Sequence, residues 1–181
     1  TVSASGSTTF CAGGSVTLTS SYASGNVWST TETTQAINVT GSGTFTVTYT
    51  DGSGCSSTSA PITVTVNALP AAPVITPSGA TTFCAGGSVD LTSDQASGNV
   101  WSTTETTQTI NVTTSGSYDV TYTDGNGCSS TSAPVVVTVN ANPAAPVITP
   151  SGATTFCAGG SVDLTSYQAS GNVWSTTETT Q

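Results

Sequence analysis

The chain has 181 residues, contains no Lys, Arg, His or Met, and bears nine carboxylates for a net charge of −9. Without cationic side chains it cannot neutralise phosphates, so the composition excludes ordinary nucleic-acid binding and disfavours docking on anionic lipids. No run of 18 apolar residues is present, and we therefore expect no membrane insertion.

The first copy contains five short runs typical of strands, and all but Val27–Trp28 alternate apolar side chains with Thr or Asn, a period of two that predicts one buried face. In chain order they are Val16–Thr19, Val27–Trp28, Ile37–Thr40, Phe45–Thr50 and Ile62–Val66. Glycine-rich segments separate the runs, and Asp51-Gly52 predicts a tight hairpin. No window has a helical period, so the sequence predicts an all-β protein.

The whole pattern then recurs with a period of 73 residues. Residues 1–73 match residues 74–146 at 56 positions, and residues 147–181 differ from 74–108 only where Tyr167 replaces Asp94. Such self-similarity indicates an array of like units. We predict domains at residues 1–69, 70–142 and 143–181, the last a partial repeat. Two Pro-containing tracts at 67–73 and 140–146 would be stiff linkers.

Six or seven short strands in about 70 residues, around one central Trp, are typical of a two-sheet antiparallel β-sandwich. Trp28, Trp101 and Trp174 are the predicted core tryptophans of the three copies; stacking on a sugar ring is the less favoured interpretation. For the second copy we predict a core of Val89, Leu91, Trp101, Ile110, Val112, Tyr118, Val120, Tyr122, Val135, Val137 and Val139. Arranged as beads on a rod, such domains would each add roughly 35–40 Å.

Three segments taken together resemble a known group of repeats: the Cys-Ala-Gly-Gly segment at 11–14, the Val-Trp-Ser-Thr-Thr-Glu segment at 27–32, and the Asp-Gly-Ser-Gly-Cys segment at 51–55. They are similar to Ig-like repeats of large secreted and cell-surface proteins of Bacteroidetes, including gliding-motility adhesins. The resemblance implies tandem Ig-like domains, an extracellular location at the bacterial cell surface, and type IX secretion. It implies no catalytic residue. One departure is Thr31, where such repeats often have Gly before Glu.

The five cysteines, Cys11, Cys55, Cys84, Cys128 and Cys157, occupy two kinds of position and suggest disulfides in an oxidising compartment. Two pairings remain open. Each domain could form its own bond, Cys11–Cys55 and Cys84–Cys128. In an Ig-like sandwich, however, these positions lie at opposite ends of the domain, about 20 Å apart, whereas bridged Cα atoms lie within about 7 Å. Domains stacked end to end would instead allow an interdomain Cys11–Cys128 bond.

Catalysis lacks its usual residues, because without His or Lys a Ser or Cys nucleophile has no ordinary base. We expect no enzyme activity, cofactor or metal. The favoured function is a structural stalk or adhesin repeat that provides reach and valency, with neighbouring repeats as partners. The alternatives are a filament assembled laterally from identical chains, and a carbohydrate-binding module whose partners are surface glycans.

Overall fold

A computed structural model describes residues 1–177, and all regular secondary structure in that range is β-strand. The prediction of an all-β chain is confirmed, and the several small sheets are consistent with a β-sandwich. The chain divides into two compact units, Thr1–Val139 and Asn140–Gln181. Repeats 1 and 2 together form the first unit. The last four residues of the predicted partial repeat, 178–181, lie outside the described range.

Repeat 1 contains nine strands in three small sheets, ordered β1-β3-β5, β2-β9-β6 and β4-β7-β8. The strands are β1 Val2–Ala4, β2 Thr9–Cys11, β3 Val16–Ser20, β4 Asn26–Trp28, β5 Ala36–Val39, β6 Gly43–Phe45, β7 Val47–Thr50, β8 Ser56–Thr58 and β9 Ile62–Asn67. All pairs are antiparallel except β2 with β9, which run parallel.

Repeat 2 reproduces this order as β10-β12-β14, β11-β18-β15 and β13-β16-β17. Its strands are β10 Ile75–Pro77, β11 Thr82–Cys84, β12 Val89–Ser93, β13 Asn99–Trp101, β14 Thr109–Val112, β15 Gly116–Tyr118, β16 Val120–Thr123, β17 Ser129–Thr131 and β18 Val135–Asn140. The equivalent strands pair in the same register, so 56 shared residues out of 73 are enough to specify one arrangement twice.

The predicted strand over Phe45–Thr50 is broken in two, because its halves belong to different sheets: β6 pairs with β9, whereas β7 pairs with β4 and β8. Strand β8 has no apolar side chain and was not predicted. It is held instead by hydroxyl pairs across the hairpin, Thr48 with Thr58 and Thr50 with Ser56, each at 2.8 Å.

Each of the first two repeats has its own apolar core, built around Trp28 and around Trp101. All residues of the predicted core of repeat 2 are buried or partly buried, and all but one belong to its apolar cluster. Tyr122 is half-buried and lies outside the cluster, where its ring passes beside Gly98. A Cβ at Gly98 would lie 2.6 Å from the Thr123 carbonyl oxygen, and the residue has a φ of +78°, so this position requires glycine.

The second unit contains two described strands, β19 Ile148–Pro150 and β20 Leu164–Ser166, which pair antiparallel. Trp174 is only half-buried there, unlike Trp28 and Trp101. The assignment of Trp174 to a core stays a prediction. In repeat 2 the strand that contains Trp101 pairs with β16.

Candidate functional site at the junction between repeats

The first half of the site is the Asp-Gly hairpin of repeat 2, formed by β16, β17 and the turn at 124–128. The Asp124 carboxylate accepts hydrogen bonds of 2.9 Å from the backbone N–H groups of Asn126 and Cys128. The Asp124 N–H in turn donates to the Cys128 carbonyl. Gly127 has a φ of +79°, a conformation that glycine adopts without strain. Turn chemistry of this kind fixes the position of Cys128.

The second half is the Phe-Cys-Ala-Gly-Gly turn of repeat 1, residues 10–14. Cys11 ends β2, whose parallel pairing with β9 places it opposite Asn67. The Ala12 N–H then donates to the Asn67 carbonyl at 2.8 Å. Because Asn67 is also the first residue of the linker, one turn positions both the cysteine and the start of the path into repeat 2.

Cys11 and Cys128 meet at the junction in a disulfide, with an S–S distance of 2.04 Å and Cα atoms 5.6 Å apart. Of the two pairings left open by the sequence, the structure therefore contains the interdomain one. The intradomain alternative, Cys11–Cys55 with Cys84–Cys128, is not formed. Cys55, Cys84 and Cys157 are exposed thiols.

A second contact accompanies the disulfide. The Ser130 hydroxyl on β17 donates a 2.7 Å hydrogen bond to the Pro70 carbonyl of the linker, 60 residues earlier in the chain. Pro73 of the same linker is buried, and Cys128 is 0% exposed. The proline tract is thus packed onto repeat 2, and the junction is a covalent and hydrogen-bonded contact.

The loop beside the Asp-Gly hairpin is held by a buried polar network that the sequence patterns did not reveal. The Ser93 hydroxyl donates to the Asn99 side-chain carbonyl at 2.9 Å, and the Asn99 amide donates to the Gln95 carbonyl at 2.8 Å. The same Ser and Asn positions make equivalent bonds in the other two copies. The signal available in the sequence was a Ser and an Asn six residues apart in each copy.

The first two tryptophans are unavailable as sugar-stacking surfaces. Trp28 is 2% and Trp101 1% exposed, and their indole N–H groups donate to the carbonyls of Thr34 and Thr107. Buried tryptophans with a structural role typically have their indole N–H hydrogen-bonded in this way.

The carboxylates among the described residues do not form an obvious reactive centre. The Thr103 hydroxyl, with the backbone N–H of Glu105 itself, holds the pKa of the exposed Glu105 below its ordinary value, which makes it a poor general acid. Among residues 1–177, no three Cys, Asp or Glu side chains cluster closely enough to hold a metal ion. The same range contains no helix long and apolar enough to cross a membrane.

One groove lies on repeat 1, and another lies in the second compact unit. The smaller, about 110 Å³, lies on repeat 1 beside Thr1, Tyr22, Tyr49 and Ser57. The larger, about 390 Å³, lies in the second unit beside Pro146, Ile148, Gln168 and Trp174.

No known protein family matches the sequence, and no curated protein matches it. Among solved structures, one similar chain belongs to the crystal structure of mouse coronavirus receptor-binding domain complexed with its murine receptor. The identity is 15% and the TM-score 0.40, over 77% of this chain and 98% of that chain. A likeness at this level supports no conclusion about function.

Proposed function

We propose that this chain is a segment of an extracellular structural stalk, in which Ig-like repeats are joined end to end to give reach and valency. The observation that supports the proposal is the Cys11–Cys128 disulfide, which links two repeats that each have their own core. Because the bond joins two separately packed repeats, it also restrains the angle between them, and a fixed angle is what a stalk needs.

Several features of the chain agree with this proposal. A disulfide is compatible with a secreted or extracellular protein, since cytosolic thiols are kept reduced. A chain with no Lys or Arg offers no site to trypsin-like proteases. The resemblance to Bacteroidetes surface repeats suggests a bacterial cell-surface location reached by type IX secretion. The proposal gives the chain no catalytic role.

The stalk is favoured over a carbohydrate-binding module because Trp28 and Trp101 are buried. It is favoured over a laterally assembled filament because the contact observed here runs from the end of one repeat to the end of the next. A lateral filament would need contacts between strand faces of different chains.

The test is electron microscopy of unreduced chains lengthened by two and by four further 73-residue copies. We expect single thin rods that grow by roughly 35–40 Å per copy, and rods that bend between repeats after reduction. Cys11→Ser should reproduce the bending in the first junction, and Cys55→Ser should not. Compact particles of unchanged length would contradict the stalk, and regular multi-chain fibres would favour the filament.

A further inference from the structure

The Cys11–Cys128 disulfide provides a short covalent route through repeats 1 and 2. Cys11 ends β2, near the start of the first compact unit, and Cys128 directly precedes β17, near the end of that unit. The two cysteines are 117 residues apart along the chain, yet their Cα atoms are 5.6 Å apart. A path of covalent bonds therefore runs along residues 1–11, crosses the two sulfur atoms, and continues from residue 128 to the end of β18.

This covalent path, which we call the thread, consists largely of extended backbone. It includes four strands, namely β1 Val2–Ala4, β2 Thr9–Cys11, β17 Ser129–Thr131 and β18 Val135–Asn140. A strand already rises about 3.3 Å per residue, which is close to the maximum reach of a polypeptide. When the two ends of the thread are drawn apart, it therefore becomes taut after little extension.

Both apolar cores lie almost entirely outside the thread. In repeat 1, every buried residue of the core cluster lies between positions 16 and 64. In repeat 2, every buried residue of the cluster lies between positions 89 and 120 except Val137, which belongs to β18. The loop of residues 12–127 that the disulfide closes thus contains both core tryptophans and the proline linker between the repeats.

Strand pairing holds the thread against the two repeats along its length. Strand β1 pairs with β3, β2 with β9, β17 with β16, and β18 with β15. Hydrogen bonds between strands lie across the strand direction, so tension along the thread loads all the bonds of one ladder together. Such a ladder resists sliding better than a ladder that opens one bond at a time, and the thread therefore stays in place while it is under tension.

We propose that the disulfide gives repeats 1 and 2 a further function as a tension-bearing element, in which a pulling force follows the thread and bypasses the two apolar cores. Without the bond, the same force has to pass through residues 12–127 and unfolds each repeat in turn. The inference rests on the proposed stalk, since a stalk that joins a cell to a surface is pulled along its length. It adds a mechanical property that end-to-end stacking alone does not provide.

Reduction of the disulfide removes this bypass, which makes the function testable. One thiolate of dithiothreitol attacks the Cys11 sulfur, and Cys128 departs as a thiolate. Cys11 is the sulfur attacked because it is only partly buried, whereas Cys128 is 0% exposed. The second dithiothreitol thiol then displaces Cys11 and closes a cyclic disulfide. Two cysteine thiols are formed, dithiothreitol is oxidised, and its two thiol protons end on the cysteines.

The test is single-molecule stretching of the full chain, held by peptide tags at its two ends. The unreduced, unsubstituted chain is compared with Cys11→Ser, which lacks the bond, and with Cys55→Ser, the matched control that loses only an exposed thiol. The tension is set so that each repeat of Cys11→Ser survives for some minutes before it unfolds. The second compact unit is the same in all three chains, so its extension cancels from the comparison.

We expect Cys11→Ser to lengthen in two steps, one for each repeat, whereas the unsubstituted chain and Cys55→Ser show neither step. Dithiothreitol added under constant tension should then increase the contour length of the unsubstituted chain by roughly 380–420 Å, because the bond withholds a sequence separation of 117 residues at about 3.3–3.6 Å each. This increase should follow a delay and arrive in two steps, since two intact cores must first unfold. Dithiothreitol should leave the length of Cys11→Ser unchanged.

The timing and the size of the increase separate this inference from the proposed stalk. A single immediate step of the whole length would mean that both cores had unfolded inside the closed loop; it would overturn the bypass and leave the interdomain bond of the stalk in place. An increase of about 290–320 Å would match two intradomain bonds, from 11 to 55 and from 84 to 128, 44 residues each, and both proposals would fail. Two repeat-sized steps before any reduction would show that no bond spans the repeats, and both would fail as well.

Discussion

The Asp-Gly hairpins of repeats 1 and 2 differ at one position in residues 51–60, where Ser53 stands opposite Asn126. Their cysteines nevertheless have opposite environments: Cys128 is 0% exposed and bonded, and Cys55 is an exposed thiol. Ser132 is 7% exposed, whereas its counterpart Ser59 is only half-buried. The same local sequence therefore forms the same turn twice, and the neighbouring repeat decides what the turn becomes. The difference arises at the junction and leaves the hairpin fold unchanged.

The largest expected effect tests the tryptophan-centred apolar core, which repeats 1 and 2 have in common. Trp28→Ala and Trp101→Ala should each lower the free energy of unfolding of their repeat by about 3–5 kcal/mol, because a fully buried aromatic side chain is removed and a cavity remains. Since the two side chains are buried alike, the two losses should agree. Urea unfolding followed by far-ultraviolet circular dichroism measures them.

Trp174→Ala provides the matched control for those variants. Its side chain is only half-buried, so the change should cost about 1 kcal/mol or less. A cost for Trp28→Ala far from that for Trp101→Ala would show that the repeats do not share one kind of core.

The second-largest effect concerns the cysteines, whose environments differ between repeats 1 and 2. Cys11→Ser should destabilise the unit that contains repeats 1 and 2 by about 2–4 kcal/mol, because the disulfide closes a loop across a sequence separation of 117 residues. Cys55→Ser removes an exposed thiol and should change stability by less than about 0.5 kcal/mol. Denaturant unfolding with and without reductant checks both variants, and equal effects of the two substitutions would contradict the asymmetry between the repeats.

A smaller effect separates what the Asp-Gly turn contributes to stability from what it contributes to formation of the disulfide. Asp124→Ala and Asp51→Ala each remove a carboxylate that accepts two backbone hydrogen bonds, and each should cost about 1–2 kcal/mol. Only Asp124→Ala should also slow re-formation of the Cys11–Cys128 bond after reduction and reoxidation. Re-formation is followed by trapping free thiols over time. An equal delay in Asp51→Ala would mean that the hairpin does not pre-position its cysteine.

Much of the fold could be predicted because alternation of apolar residues with Thr reports directly which face of a strand is buried. The strands around Leu18 and Ile37 were found this way. Strand β8 was missed because Ser56–Thr58 has no apolar residue to alternate, and its pairing depends on hydroxyl contacts across the hairpin. The break after Phe45 was missed because the alternation of apolar residues with Thr continues unbroken across the change of sheet.

Only part of the junction could be predicted from the sequence, because the pairing of its cysteines depends on the geometry between two domains. Strand length in an assumed Ig-like sandwich argued against Cys11–Cys55, and end-to-end stacking offered Cys128 as the alternative partner. Distance alone could not choose between the pairings, since the choice depends on how two domains face each other. The Ser130 bond to Pro70 could not be foreseen, because a hydroxyl on an exposed strand looks the same whether or not a neighbour covers it.

The smallest effect tests a strain that both repeats share and that the junction should not alter. Thr31 and Thr104 have φ values of +78° and +77°, a conformation that a β-branched residue adopts only at a cost. Thr31→Gly and Thr104→Gly should each raise the free energy of unfolding by about 1 kcal/mol, and by equal amounts in the two repeats. Thr106→Gly, at a position outside the left-handed region, should lower it instead. Thermal unfolding of the three variants measures these changes. If Thr31→Gly and Thr104→Gly were also destabilising, the contacts of the two Thr side chains would contribute more to stability than the backbone strain costs.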